Sequence, residues 1–158
     1  MSVSKTLIEA KKLHRNKNLN NALKIYSSIL EKVPNNIKAK RGILQIYEGL
    51  GPSSSYSTSP NTQFKLLSKF LTENKFSDAL LYARIIAGLN PKDPKIYNAL
   101  GASNAKLGLM KEAILFFKKA LKISPCYHEA HNNIAIAFKN MSQHTDAIRH
   151  FDQAIKLM

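Results

Sequence analysis

The chain has 158 residues, 44% hydrophobic and 22% charged, with 24 Lys and Arg against 10 Asp and Glu for a formal net charge of +14. That hydrophobic share excludes general disorder, and the length suits one array of about four short units, with no room for a separate catalytic domain. A single cysteine, Cys126, excludes an internal disulfide framework. At the start, MSVSKTLIEAKKLHRNK, Glu9 and Lys11 interrupt any apolar run, so no targeting peptide is read and the cytoplasm is the expected compartment. The run ALLYARIIAGL contains Arg84 and is too short for a membrane span.

Residues 3–36 predict a helix pair, with Ala10 and Leu13 on the first helix, Ala22, Tyr26 and Ile29 on the second, and Pro34 closing it. One further helix follows at 37–50, apolar at Ile43, Leu44, Ile46, Tyr47 and Leu50, with no second helix to pair with. Segment 51–61, GPSSSYSTSPN, has two prolines and no charge and reads as a mobile linker. Residues 1–50 are therefore expected to form a pair plus an unpaired helix. That helix should pack on its neighbours, because a solenoid unit cannot bury its apolar face alone. Residues 62–158 predict three helix pairs, at 62–91, 94–125 and 128–158.

The pairs are copies of one another. Ala79, Ala113 and Ala147 recur at one constant interval, and Phe117 and Phe151, Ala120 and Ala154, and Pro91 and Pro125 are separated by the same interval. It is the period of about 34 residues at which arrays of paired helices repeat. From Pro34 to Pro91 the chain falls short of two such periods by about a third of one, so a stretch is missing around the linker. The best copy reads Tyr97, Leu100-Gly101, Asn104, Ala113, Phe117, Ala120 and Pro125, which resembles the tetratricopeptide repeat (TPR). The next carries His131, Ile134, Ala135, Phe138, Ala147, Phe151 and Ala154 in the same places. Two weaker copies, at 3–36 and 60–93, put Ile29, Leu67 and Ile86 where the pattern has small residues, which predicts wider or shifted crossings there. The resemblance implies an all-α, right-handed superhelical array of antiparallel helix pairs, about four units with one incomplete. Tight crossings are expected where small residues face each other, Gly101 with Ala113 and Ala135 with Ala147.

Such arrays present a surface and perform no chemistry of their own. In TPR arrays the first helix of each pair lines the concave groove, which here implies Lys40, Arg41, Lys65, Lys69, Asn98, Ala102, Asn132 and Asn133 as groove residues. An asparagine amide offers a donor and an acceptor and grips a peptide backbone whatever its side chains. The stretch HEAHNNIAIAF resembles the arrays of O-linked N-acetylglucosamine transferase-type proteins, where Asn133 falls on the groove asparagine. Asn98 lies one position before that slot and Ala99 occupies it, which predicts a broken ladder. A carboxylate clamp is disfavoured, since its slots hold Arg41, Gln45, Lys65, Lys95 and Ala99 without the asparagines.

Catalytic signals are missing. Cys126-x-His128-x-x-His131 has metal-ligand residue types at a spacing that matches no zinc signature, so His131 reads as the counterpart of Tyr97. His14, His144 and His150 read as scattered, with no nucleophile and orienting carboxylate beside them. No catalytic residue, metal ligand or cofactor is predicted, and this chain is not read as an enzyme.

The basic residues are spread along the chain, ten in 1–50, six in 51–100 and eight in 101–158. That excess favours an acidic protein or peptide partner through long-range electrostatics. Nucleic acid is disfavoured because the aromatics occupy core slots of the repeat instead of forming a stacking face. The last predicted helix, DAIRHFDQAIKLM, carries Ile148, Phe151, Ile155 and Leu157 with no capping helix after it. Two expectations follow: self-association through that helix, or a longer polypeptide in which the array recruits acceptors for a glycosyltransferase or sulfotransferase domain. The latter is what a resemblance to TPR-sulfotransferase arrays implies.

Overall fold

The structure, a computed structural model, describes residues 2–51 and 60–158. Most of the expected linker, 52–59, lies outside the described residues. The chain divides into two compact units, Met1–Ser59 and Pro60–Met158. All regular structure among the described residues is helical.

The first unit holds α1 (Val3–Arg15), α2 (Leu19–Lys32) and α3 (Ile37–Tyr47). Ala10, Ala22, Tyr26 and Ile29 form the core of the α1–α2 pair, each 2% exposed or less. The unpaired α3 is packed: Ala39, Ile43, Leu44 and Ile46 are buried, and the Tyr26 ring of α2 lies where a side chain on Gly42 would have to go. Asn36 caps α3 by accepting a hydrogen bond from the Ala39 amide at 2.9 Å.

The second unit stacks three antiparallel pairs in chain order. They are α4 (Pro60–Thr72) with α5 (Phe76–Leu89), α6 (Pro94–Lys106) with α7 (Met110–Ile123), and α8 (His128–Asn140) with α9 (His144–Lys156). α4 begins at Pro60, ahead of the expected start at 62, because proline is pre-organised for the first helical position. Ala79 and Ala113 are completely buried and Ala147 is 4% exposed, as the repeat requires. Gly101 makes room for the aromatic ring of Phe117 from α7, and a Cβ there would collide with that ring. Ala113, Phe117 and Ile134 form a core that joins α7 to α8, with Ala102, Ala105, Leu121 and Phe138 around it. Among the described residues α4 and α5 pack less closely than α6 and α7, in keeping with the bulky Leu67 and Ile86.

Each pair turns through one residue with positive φ: Lys17 at 58°, Asn74 at 58°, Gly108 at 80° and Ser142 at 58°. The amide after it bonds back to the last turn of the first helix: Asn18 to the Leu13 carbonyl, Lys75 to Phe70, Leu109 to Asn104 and Gln143 to Phe138. α3 ends in the same way, with Gly49 at φ 70° and the Leu50 amide bonded to the Gln45 carbonyl at 2.7 Å. Its terminus is therefore that of a first helix.

Candidate functional site

In the second unit the first helices of the pairs line a cleft of about 390 Å³. α4 contributes Phe64, Leu67, Ser68 and Leu71, and α6 contributes Lys95, Asn98, Ala99 and Ala102, both at the three- and four-residue spacing of one helix face. Tyr127, at the turn before α8, and Glu129 close the cleft. One wall is thus apolar and the other polar. Lys95 holds its ammonium 5.6 Å from the centre of the Phe64 ring, which ties a cation to the mouth of the cleft.

The polar wall is a connected rung. Asn133 Nδ2 donates to Asn98 Oδ1 at 2.9 Å, and Asn98 Nδ2 donates to the Tyr127 hydroxyl at 3.4 Å. Burial, followed by the charge of Glu129, pushes the Tyr127 phenol above its ordinary value. The phenol stays protonated at neutral pH and keeps its own hydrogen to donate. The rung therefore offers amide and hydroxyl donors and acceptors in a row at the edge of an apolar floor.

Of the predicted groove residues, Asn98 and Ala102 line this cleft and Asn133 is bonded to it. Ala99 occupies the repeat slot, as read from the sequence, and Asn98 beside it is the residue that bonds Asn133. The separation of Asn98 and Asn133 exceeds the repeat interval by a single position, and that offset is one helical step of about 1.5 Å, which an amide side chain spans. Asn132 is exposed on α8 and has no part in the rung. Lys65 and Lys69 are exposed on α4 outside the cleft lining, and Lys69 lies 3.9 Å from Glu73. The lining face of α4 is one residue earlier in register, at Phe64 and Ser68. Lys40 and Arg41 belong to α3 of the first unit, where Lys40 donates to Asn35 Oδ1 at 3.3 Å and Arg41 is exposed. Tyr127 and Glu129 were not singled out from sequence as groove residues, since they fall in the turn and first step before the repeating face begins.

The histidines also need a correction. His150 is not isolated: its Nδ1 lies 3.1 Å from Nδ1 of His131, with the ring centres 5.4 Å apart. His131 does take the place of Tyr97, and the equivalence extends to its hydrogen bond. The Tyr97 hydroxyl donates to the Pro91 carbonyl at 3.1 Å, and His131 Nε2 meets the Pro125 carbonyl at 3.2 Å.

The tetratricopeptide repeat family profile matches residues 94–125, the α6–α7 pair and its closing turn. The chain carries a tetratricopeptide repeat. Two curated relatives are peroxisomal targeting signal receptors. That of Candida glabrata is 28% identical over 101 residues, and that of Kluyveromyces lactis 30% identical over 98. These matches take in 64% and 62% of this chain but only 17% of either receptor. The solved structure of MamA superposes with a TM-score of 0.61 at 19% identity, covering 94% of this chain and 93% of that one, which shows a shared fold. No helix among the described residues is long and apolar enough to cross a membrane.

Proposed function

We propose that the protein is a non-catalytic interaction scaffold, and that the cleft between α4, α6 and α8 binds an extended peptide segment of a partner protein. The observation that carries this reading is the Asn133–Asn98–Tyr127 rung beside the apolar wall of Phe64, Leu67 and Leu71. A peptide main chain needs donors and acceptors at regular intervals, and its larger side chains need an apolar floor. The cleft has both. The likeness to targeting signal receptors supports a peptide ligand, because a targeting signal is a peptide. The net charge of +14 favours an acidic one.

The test is selection of a phage-displayed library of random peptides on the wild-type chain, followed by fluorescence anisotropy of the selected peptide. Asn98→Ala and Asn133→Ala should each weaken binding about tenfold, as expected for one lost hydrogen-bonding group. Lys65→Ala, outside the lining, should leave affinity unchanged. Equal affinity for all four proteins would place the peptide elsewhere.

A second surface is marked by the repeat itself. Ile114 on α7 is 7% exposed, whereas its counterpart Ile148 on α9 is 61% exposed, and Ile155, counterpart of the core-packed Leu121, is 69% exposed. We read this face as a site of self-association. Sedimentation should show a concentration-dependent oligomer in wild type that is lost in Ile148→Glu. A monomer at all concentrations would remove this reading.

A further inference from the structure

The last helix pair carries a titratable device that the pair before it lacks. Tyr97 and Phe116 of the preceding repeat are replaced, one period on, by His131 and His150. A carbonyl oxygen only accepts, so the contact with Pro125 requires a hydrogen on His131 Nε2. The 3.1 Å approach of the two Nδ1 atoms requires one hydrogen between them. The neutral pair meets both conditions, with His131 protonated on Nε2 and His150 on Nδ1. One added proton, on His150 Nε2, is also compatible with the contact. A second has only the His131 Nδ1 lone pair left to occupy, which sets two N–H groups head to head and forces the rings apart.

The surroundings oppose even the first proton. Burial, then His131 from α8, then Lys118 from α7 and Arg149 from α9 itself depress the His150 pKa, while Asp146 alone acts the other way. Asp146 is already engaged with Arg149 at 3.3 Å. The Phe138 ring packs 5.7 Å from His150 and keeps water off one side. His128 and Glu129 lie 3.5 Å apart at the start of α8.

The pair reaches the cleft through one short turn. His131 Nε2 holds the Pro125 carbonyl, the Tyr127 amide closes the same turn onto Ser124 at 3.2 Å, and the Tyr127 hydroxyl accepts from Asn98 in the polar rung. We propose that His131 is a positioning residue for the cleft, and that double protonation of the His131–His150 pair releases the Tyr127 turn and lowers affinity for peptide in acid. This rests on the cleft being the peptide site. The preceding repeat supplies its own control, because there a tyrosine hydroxyl, that of Tyr97, makes the same bond to Pro91 in place of an imidazole.

The experiment pairs two readouts on the full chain between about pH 7.5 and about pH 5, the range in which histidine changes charge. The first is nuclear magnetic resonance of the Asn98 side-chain amide and the Tyr127 ring without ligand. The second is affinity for the library-selected peptide. Wild type should show both signals moving together with the histidine rings, and affinity falling by up to about tenfold per pH unit for each proton taken up. His131→Tyr with His150→Phe, which transplants the preceding repeat and leaves His128 and Glu129 in place, should flatten both responses. If that double exchange does not fold, His150→Phe alone should shrink both responses. Tyr127 and Asn98 signals that do not move in wild type, or that move as far in the variants, would overturn the inference. Peptide bound equally at both ends of the range overturns it without touching the cleft assignment. Failure to bind peptide at any pH removes the cleft assignment and this inference with it.

Discussion

The α6–α7 and α8–α9 pairs are two fillings of one mould, and the positions where they differ separate what the mould needs from what each pair does. Both bury an alanine at the crossing, Ala113 and Ala147, and both fasten the entering turn to a proline carbonyl. The first pair does so with a tyrosine, seats an aromatic ring against Gly101 and covers Ile114. The second does so with a histidine, has Ala135 in the glycine's place and leaves Ile148 and Ile155 in water. Architecture is thus held by small residues and backbone caps. Chemistry enters at the larger slots.

The comparison breaks most completely at its centre. Phe117→Ala empties the site shared by α7 and α8 and should cost about 3–5 kcal/mol in urea unfolding, since truncating a buried aromatic leaves a cavity as well as losing burial. Gly101→Ala should cost about 1–3 kcal/mol, because Phe117 has to move aside. The reverse change in the next pair, Ala135→Gly, should cost only about 1 kcal/mol, the backbone entropy of a helical glycine. Equal costs for the two exchanges would mean that the pairs do not differ in this slot.

The pH response should also separate the pairs. The folded pKa of His150 lies below its ordinary value, so the unfolded chain takes up the proton first. Its contribution is present in full above the ordinary histidine pKa, about 6.5, and is lost as pH falls through that value. Protection factors of α8 and α9 amides, taken relative to intrinsic exchange at each pH, should fall below that point while those of α6 and α7 change less. His14 gives a response of the same sign in the first unit: burial depresses its pKa, its Nε2 meets the Leu50 carbonyl at 2.9 Å, and its Nδ1 is buried with no partner among the described residues. Residue-resolved exchange tells the two apart where a global melting curve does not. The smallest expected effect is Ser142→Gly. It should stabilise the chain by about 0.5–1 kcal/mol by relieving positive φ at the site where the preceding pair has Gly108.

Most of the helical framework was legible in the spacing of a few residues. Alanines, phenylalanines and prolines at one fixed interval marked the pairs at 94–125 and 128–158, and the helices found there fall within those bounds. Register failed where the interval was interrupted. With part of a period missing and no repeat proline between Pro34 and Pro91, nothing placed α4 along its own axis, and Lys65 and Lys69 were read one step from the face that lines the cleft. Contacts between helices were less legible still. The Asn98–Asn133 rung and the His131–His150 pair depend on crossing angle and axial offset, which the period of a single helix does not encode.

The central claim is that the polar rung on the first helices of the second unit holds a peptide main chain. The most direct measurement is the anisotropy titration of the library-selected peptide against wild type, Asn98→Ala, Asn133→Ala and the pair combined. Affinity should fall about tenfold for each single exchange, and the double exchange should lose less than the product because the two amides share one hydrogen bond. Unchanged affinity in the double variant, with helix content intact, would contradict the account.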